Sequence, residues 1–357
     1  MRLIIQIPCL NERDHLPGTV ADLPRSIPGI DAIEILVIDD GSSDGTSEIA
    51  RQIGVHHIVR VKRTSGLANA FTRGLDAAIR LGADIVVNTD ADNQYRGADI
   101  PALIAPILEG RADIVIGDRQ TDLVPHFSPI KKVLQKLGSR MTRTLSGTDV
   151  ADSPSGFRAF NRRAVHRLFV HNRFTYTLET VIQAGRSGLV VESVKITTNP
   201  KSRESRLFTS IPDYLRKAAP VMLRAYAMYR PAQTFLYIAA LLLVAGSAVG
   251  VRFLYYYVQN PGYSGYIQSL LVGVGCIILA FIVGLVAMLS ELLATNRRLL
   301  EELLARTRRI DAVLAPPDRP RDDIESTGRP PWHGEAGASS KPGADSEKKE
   351  ESQLAAP

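Results

Sequence analysis

An Asp-x-Asp motif is the first feature of the sequence that could do chemistry. Asp90 and Asp92 follow an apolar run, and Gln94 adds an amide oxygen two residues later. Carboxylate and amide oxygens suit Mg²⁺ or Mn²⁺, and one or two carboxylates are enough when a diphosphate supplies further oxygens. The motif therefore predicts a metal–diphosphate site, although an isolated Asp-x-Asp is most often a solvated turn.

Two other polar motifs follow apolar runs nearer the N-terminus. One is PCLNE at Pro8–Glu12, and the other is DDGSSDG, which begins at Asp39. The adjacent carboxylates Asp39 and Asp40, followed by a Gly/Ser turn, suit contacts with a ribose or a base. Asp44 is assigned to capping the next helix, because Asp is favoured just before a helix begins.

The elements that must position these motifs alternate along the first half of the chain. The predicted strands are Leu3–Ile7, Glu34–Asp39, His57–Val61, Ile85–Thr89 and Ile114–Gly117, and the predicted helices are Asp14–Leu23, Thr46–Ile53, Ala68–Leu81 and Ile100–Glu109. This alternation predicts an α/β fold with a mostly parallel sheet flanked by helices. Ligands bind beyond the carboxyl ends of such strands, so the three motifs are expected to meet there.

Two apolar segments follow the predicted catalytic domain, residues 1–200. Residues 234–257 and 267–290 are each about 24 residues long, enough to cross a hydrocarbon core of roughly 30 Å. The short loop between them contains no Lys or Arg, whereas Lys and Arg flank the other ends. The pattern predicts a two-span hairpin in the inner (cytoplasmic) membrane, with both termini and the catalytic domain cytoplasmic.

The residues on either side of the hairpin carry their own signals. Residues 201–230 are basic and are predicted to form interfacial helices that attract anionic headgroups. Nucleic acid is disfavoured as a partner, since no basic groove interleaved with aromatic residues accompanies the net charge of +6.

Residues 291–314 are predicted to continue the second span as an amphipathic or coiled-coil helix, which would favour a homo-oligomer, or to lie on the membrane or on the catalytic domain. Residues 315–357 are predicted to be disordered, because they contain few apolar residues.

Cysteine usage excludes two classes of protein. The chain contains only Cys9 and Cys276, which cannot form a disulfide framework or a metal-binding Cys/His cluster. A domain facing the reducing cytosol is the simplest interpretation.

Four segments together resemble a known family: PCLNE, DDGSSDGT, DADNQY and SGFRAF resemble glycosyltransferase family 2, which has the Rossmann-like GT-A fold. The resemblance extends over roughly Met1–Arg216 and is strongest to the branch of dolichyl-phosphate mannosyltransferases and polyprenyl-phosphate glycosyltransferases. It implies an enzyme that uses a UDP- or GDP-linked sugar, Mg²⁺ or Mn²⁺, and a polyprenyl phosphate acceptor in the membrane.

The resemblance also implies roles for residues at matching positions. The nucleotide-sugar site would comprise Pro8, Glu12, Asp39, Asp90, Ala91 and Arg119. The metal ligands would be Asp92, Gln94 and Asp90. Asp92 is counted as catalytic, because a metal held there would neutralise the charge that grows on the leaving diphosphate. The resemblance departs from many relatives at Leu10, where they have Tyr.

The predicted acceptor site consists mainly of cationic side chains. The resemblance assigns Arg203 and Arg206 to the acceptor phosphate, and we add Ser155. Arg158 and Arg203 are the catalytic candidates that would clamp the acceptor, since Arg binds phosphate oxygens in pairs. Glu179 lies near the position where relatives acting on hydroxyl groups place a base, but a carboxylate favoured at a helix start explains it equally well.

The predicted reaction is an inverting transfer of the sugar to a lipid phosphate in a single displacement. A phosphate acceptor is already anionic at neutral pH, so a strong general base is not required.

One alternative is transfer to the hydroxyl of a membrane lipid, for which Glu179 would matter far more. Another is a catalytically inactive membrane scaffold, which the intact Asp39, Asp90, Asp92 and Gln94 argue against. Polymer synthesis is disfavoured, because the Gln-x-x-Arg-Trp motif of processive relatives is missing from the sequence.

Overall fold

The computed structural model of the protein describes residues 1–120, 143, 146–170, 176–199, 231–259, 267–314 and 324–327. Within these residues an eight-stranded sheet has the order β7-β5-β6-β4-β1-β2-β3-β8. Its strands are β1 Arg2–Cys9, β2 Ala32–Asp39, β3 His57–Arg60, β4 Ile85–Asn88, β5 Ile114–Asp118, β6 Arg158–Asn161, β7 Val191–Lys195 and β8 Glu325–Ser326.

The pairing of these strands is mostly parallel, as the sequence predicts. β1 pairs in parallel with β2 and β4, β2 with β3, and β5 with β7. β6 is inserted between β4 and β5 and runs antiparallel to both, with Arg158 opposite Asn88. Because β6 runs the other way, its beginning lies where β4 ends. The SGFR motif, which leads into β6, is thereby brought to the same end of the sheet as the Asp-x-Asp motif.

Helices cover both faces of the sheet. They are α1 Leu16–Asp22, α2 Thr46–Gln52, α3 Leu67–Arg80, α4 Ile100–Leu108, α5 Arg162–Arg167 and α6 Thr177–Arg186, with a short 3₁₀ turn at Gly97–Asp99. Leu3 and Ile5 of β1 belong to one apolar core with α1, α2 and α4, whereas Ile4 belongs to the other with α3, α5 and α6. Burial on both faces explains why these strands are continuous Ile and Val runs rather than alternating ones.

Two further helices are long and apolar enough to cross a membrane: α7 Pro231–Gln259 and α8 Ile267–Leu314. They pack closely through small residues, since a Cβ added at Gly246 would lie 2.8 Å from the carbonyl oxygen of Gly273. The predicted span 267–290 and the predicted helix 291–314 form one unbroken helix of 48 residues. At 1.5 Å per residue it is about 72 Å long, more than twice a hydrocarbon core of about 30 Å.

The far end of α8 contacts the domain that contains the sheet. Arg308 donates to the carbonyl oxygen of Leu168 at 2.9 Å and pairs with the carboxylate of Asp76 at 3.0 Å. Its guanidinium also lies 4.0 Å from the ring centroid of Phe169. The sequence predicts that this helix forms a coiled coil, lies on the membrane or lies on the catalytic domain. Around Arg308, contact with the catalytic domain is observed.

The prediction of a disordered tail is wrong for residues 324–327. Glu325 and Ser326 form β8, which adds to the edge strand β3, and Ile324 is buried in the core. Arg51 donates two hydrogen bonds to the Glu325 carboxylate at 2.6 and 2.8 Å. The composition of the tail does not predict this strand. A short strand can be added to a sheet edge by main-chain hydrogen bonds and one buried apolar side chain, without an apolar sequence. The predicted interfacial helices at 201–230 lie outside the described residues.

Candidate active site

The carboxyl ends of β1, β2 and β4 bring three of the sequence motifs together. β1 lies between the other two strands, with Cys9 opposite Asp39. The main chain continues the pairing beyond the strand ends, since Asp40 donates its N–H to Cys9 at 2.9 Å and Thr89 to Gln6 at 3.1 Å. The predicted meeting of these motifs at one end of the sheet is therefore observed.

The candidate nucleoside residues lie in the first two of these loops. Pro8 is buried at the end of β1, and Glu12 is nearly buried, with its N–H donating to Thr46 Oγ1 at 3.0 Å. Asp39 is fully buried, and one of its oxygens accepts the N–H of Ser42 at 2.8 Å. Its other oxygen accepts the hydroxyl of Ser47. These bonds fix the direction of the Asp39 carboxylate.

The neighbouring Asp40 has a different task from the predicted ribose or base contact. One carboxylate oxygen accepts the N–H and the hydroxyl of Ser65 at 2.9 and 2.6 Å, and the other accepts the N–H of Gly66 at 2.8 Å. Asp40 therefore holds the turn that precedes α3, and the prediction of a substrate contact is not supported. Asp44 supports the start of α2 by accepting the N–H of Thr46 at 3.0 Å, although the residue at the N-cap itself is Gly45.

The pKa of the Cys9 thiol reflects its burial and the acidic side chains around it. The thiol is buried, and burial, together with the charges of Glu12, Asp39 and Asp90, raises its pKa well above the usual value. The thiol stays protonated at physiological pH, so Cys9 is an apolar packing group beneath the site rather than a nucleophile.

The Asp-x-Asp loop is partly exposed to solvent. Asp90, Asp92 and Gln94 are all partly exposed, and Asn93 between them has a left-handed backbone with φ of 54°. The N–H of Gln94 donates to Asp92 Oδ1 at 3.1 Å. The buried Ala91 anchors the loop, because its carbonyl oxygen accepts the hydroxyl of Thr19 at 2.7 Å.

This donor set fits a divalent metal that is shared with a substrate. No cluster of three or more His, Cys, Asp or Glu side chains able to hold a metal occurs within the described residues. Asp90 and Asp92 would supply two carboxylates and Gln94 one amide oxygen, which would suit Mg²⁺ or Mn²⁺ if a diphosphate and water completed the coordination. All these ligands are hard oxygens, so they do not distinguish the two metals.

The SGFR motif supports the Asp-x-Asp loop from the other side. A Cβ added at Gly156 would lie 3.2 Å from both carboxylate oxygens of Asp90 and 3.0 Å from the hydroxyl oxygen of Tyr176. The Asn88 side chain donates to Gly156 O at 2.8 Å and to that hydroxyl at 2.9 Å. The Gly156 N–H donates to the hydroxyl of Tyr95 at 3.0 Å. Sequence analysis missed this network, although Gly at this position of the motif was a signal.

Arg119 lies at the end of β5 and is held by a residue that sequence analysis missed. Its guanidinium donates to both oxygens of Asp152 at 2.7 and 3.0 Å, and Asp152 is almost fully buried. Burial lowers the pKa of Arg119, but the opposing charges of Tyr95, Asp152 and Asp90 outweigh it and raise that pKa. Arg119 therefore carries a fixed positive charge close to Asp90, and its role in the donor pocket stays a prediction.

Arg158 and Ser155 are not positioned as acceptor contacts. Both are fully buried. The Arg158 guanidinium donates to the carbonyl oxygens of Ser155, Ser153 and Thr177 at 2.8, 2.5 and 2.9 Å. Burial lowers the pKa of Arg158 to about 10. Because its donors are occupied by main-chain carbonyls, Arg158 holds the loop before β6 together, and the prediction that it clamps a phosphate is not supported.

Glu179 lies in the first turn of α6 and is nearly buried. Gln183, one helical turn later, donates to it at 3.4 Å and also contacts the main chain of Phe169. This placement agrees with the helix-start interpretation of Glu179. A catalytic role for Glu179 stays a prediction.

The remaining acceptor candidates, Arg203 and Arg206, lie outside the described residues. The segment that leads to them is described and is attached to the Asp-x-Asp loop. Thr198 forms a β-bridge with Tyr95, and the Asn199 side chain donates to the carbonyl oxygen of Asn93 at 3.0 Å.

Comparison with known proteins identifies the family of the chain. Residues 4–169 match the family described as Glycosyl transferase family 2. The chain is 28% identical over 207 residues to the polyprenol monophosphomannose synthase of Mycolicibacterium smegmatis, covering 55% of this chain and 77% of that protein. It is 30% identical over 213 residues to the UDP-N-acetylglucosamine–dolichyl-phosphate N-acetylglucosaminyltransferase of Methanococcus voltae, covering 54% and 83%.

Among solved structures, the chain is similar to glucosyl-3-phosphoglycerate synthase from Mycobacterium tuberculosis in complex with phosphoglyceric acid. The sequence identity is 21%, the TM-score is 0.48, and the match covers 62% of this chain and 79% of that one. The family match and the extensive similarity to the Methanococcus voltae enzyme lead to one conclusion. The chain belongs to glycosyl transferase family 2 and is a glycosyltransferase.

Proposed function

We propose that the enzyme transfers a sugar from a nucleoside diphosphate sugar to a polyprenyl phosphate at the cytoplasmic face of a membrane. The observation that carries this proposal is the positive charge of Arg119 close to Asp90 in the partly exposed Asp-x-Asp loop, in a domain whose chain continues into two helices of membrane-spanning length. Both relatives described above are named for polyprenyl-type phosphate acceptors, which supports the acceptor class.

The donor would bind across the ends of β1, β2 and β4. Glu12 and Asp39 would contact the nucleoside, and Arg119 would face the diphosphate, where a guanidinium pairs well with phosphate oxygens. Asp92, Asp90 and Gln94 would hold Mg²⁺ or Mn²⁺, which supplies positive charge that stabilises the leaving diphosphate. The two relatives are named for different sugars, so the similarity does not select a donor.

The reaction would be a single displacement at the anomeric carbon. A phosphate oxygen of the acceptor forms the new bond to that carbon as the bond to the donor diphosphate breaks, and the nucleoside diphosphate leaves with the bonding electrons. Attack from the face opposite the leaving group inverts the anomeric configuration. The acceptor oxygen is already ionised at neutral pH, so no proton needs to be removed and Glu179 is not required as a base.

The acceptor phosphate would reach the site from the membrane side. Residues 201–230, which join the catalytic domain to α7, contain Arg203 and Arg206, and we keep these two residues as the proposed acceptor clamp. Both termini would then lie in the cytoplasm, because Lys and Arg residues flank that end of the helix pair and positive charge is retained on the cytoplasmic side. The donor and the lipid headgroup would then meet on the same side of the membrane.

The test is transfer of radiolabelled sugar by the purified full chain in detergent. A panel of UDP- and GDP-sugars is offered with undecaprenyl phosphate, with and without Mg²⁺ or Mn²⁺, beside Asp92→Ala. We expect metal-dependent label in an acid-labile lipid, reduced at least 100-fold by the substitution. Label in a neutral, acid-stable lipid would replace the acceptor with a lipid hydroxyl, and donor hydrolysis alone would reject transfer to a lipid.

A further inference from the structure

The part of α8 beyond Glu291 carries an apolar face that no described part of the chain covers. Leu293, Leu300, Leu303 and Ile310 are 69, 60, 58 and 54% exposed. These positions lie outside the predicted span and on a helix much longer than a membrane is thick, so lipid tails do not surround all of them. A row of exposed leucines in water is unstable unless another surface packs against it.

The spacing of this face is that of a coiled coil. Its residues alternate steps of four and three over more than three heptads: Leu289, Leu293, Asn296, Leu300, Leu303, Thr307, Ile310 and Leu314. We call these eight residues the seam. An average step of 3.5 residues keeps a seam in contact with a second helix that winds around it, and a helix packed against a flat surface has no need of that regularity.

The opposite face of α8 contacts the catalytic domain. Ala305 is only 9% exposed, and Arg308 contacts Leu168 and Asp76 of the catalytic domain. Ala305 and Arg308 lie at heptad positions remote from the seam. The seam therefore faces away from the chain's own catalytic domain, which leaves room for a partner helix.

We infer that the seam pairs with the same seam of a second copy of this chain, in a parallel coiled coil of two or more helices. A parallel arrangement follows from the membrane, because α8 leaves the bilayer in the same direction in every copy. Asn296 within the seam fixes the register, since a polar core residue is tolerated best opposite its own copy.

The seam is wider than that of a minimal dimer. Leu299 and Leu304 flank the core positions and are 60 and 48% exposed. Apolar residues at these flanking positions extend the buried surface and allow more than two helices to associate.

Cysteine cross-linking in the full chain tests the inference. Cys9 and Cys276 are replaced by Ala, and Leu303→Cys is compared with Glu302→Cys, its exposed neighbour outside the seam. Mild oxidation in native membranes is expected to give at least tenfold more disulfide-linked dimer from the Leu303→Cys chain. Equal cross-linking of the two variants would overturn the inference.

A second measurement covers the case in which cross-linking fails for chemical reasons. Light scattering of the enzyme in nanodiscs is expected to give two or more chains per particle, falling to one in Leu300→Lys/Leu303→Lys but not in Glu302→Lys. Sugar transfer per chain should persist in the double variant, which shows that it is folded. A single chain per particle in the unaltered enzyme would reject the coiled coil. Quenching of a fluorophore at residue 303 by brominated lipid would also reject it, in favour of a contact between the seam and the membrane.

Discussion

Asn199 donates its main-chain N–H to the carbonyl oxygen of Gln94 at 2.9 Å. This bond ties the segment that runs toward the membrane helices to the loop that carries Asp92. The Asn199 side chain adds a second tie to Asn93 at 3.0 Å. The proposed donor and acceptor sides of the active site are thus joined by one pair of short loops.

We expect Asn199→Ala to lower sugar transfer about tenfold with little change in melting temperature. The lost side-chain bond contributes about 1 kcal/mol to holding the two loops together, and about 1.4 kcal/mol in a transition state corresponds to a factor of ten in rate. The measurement is kcat/KM for the lipid acceptor. Thr197→Ala is the matched control, because its side chain is exposed and its main-chain bond to Asp99 remains. Equal rates for the two variants would contradict a positioning role for Asn199.

Asp152→Asn should reduce transfer about 100-fold, mainly through a higher KM for the nucleotide sugar. The substitution removes the charge that orients Arg119 and leaves that guanidinium without its carboxylate partner. Asp149→Asn provides the comparison, since Asp149 pairs with Arg143 in an exposed ion pair of little energetic weight. An unchanged donor KM in Asp152→Asn would show that Arg119 does not bind the donor.

Gly156→Ala is expected to abolish most of the activity in a protein that still folds. The new methyl group would lie 3.2 Å from both oxygens of Asp90, so the carboxylate must move away from its present position. Metal titration monitored by isothermal calorimetry in the presence of nucleoside diphosphate should show weaker binding. Gly18→Ala is the control, because a Cβ there meets nothing within 4 Å and Ala favours the helix. Normal metal binding in Gly156→Ala would argue against Asp90 as a ligand.

The C-terminal strand β8 should contribute to stability and not to catalysis. We expect Ile324→Ala to lower the free energy of unfolding by about 2 kcal/mol, because a buried Ile is truncated. Thermal unfolding measures the loss, and a chain ending at residue 323 should show at least as large a decrease. A chain ending at residue 327 retains the pairing with β3 and should melt like the full chain. A normal melting temperature for Ile324→Ala would show that β8 does not pair stably in solution.

His56 makes the stability of the sheet edge depend on pH. Burial lowers the pKa of His56, with His57 acting in the same direction and Glu34 opposing it, and Nδ1 accepts the N–H of Ile35 at 3.0 Å. A depressed folded-state pKa means that the neutral ring stabilises the fold above about pH 6.5, and this contribution is lost as the pH falls below that value. We expect a decrease in melting temperature of a few degrees from pH 7.5 to 5.5, and a smaller one in His56→Gln. Identical decreases would exclude His56 as the source.

Much of the architecture could be predicted from the sequence because its causes are local. All nine predicted strands and helices of the first domain occur within a few residues of their predicted limits, since apolar periodicity and turn residues act over short distances. The order of PCLNE, DDG and DAD after the first, second and fourth strands also predicted where those motifs meet, because parallel strands end on one side of a sheet. The two membrane-length helices follow from composition alone.

Tertiary structure decided which polar groups are left for a substrate. Asp39 and Asp40 are equivalent in the sequence, but Asp39 accepts hydrogen bonds from the nearby Ser42 and Ser47, whereas Asp40 is occupied by Ser65 and Gly66, 25 and 26 residues away. Arg158 and Arg119 are both Arg residues near strand ends. One is enclosed by main-chain carbonyls, whereas the other is directed by Asp152, which lies 33 residues away along the chain. Such assignments depend on which distant donors and acceptors the fold brings within about 3 Å, and no local pattern in a sequence records that distance.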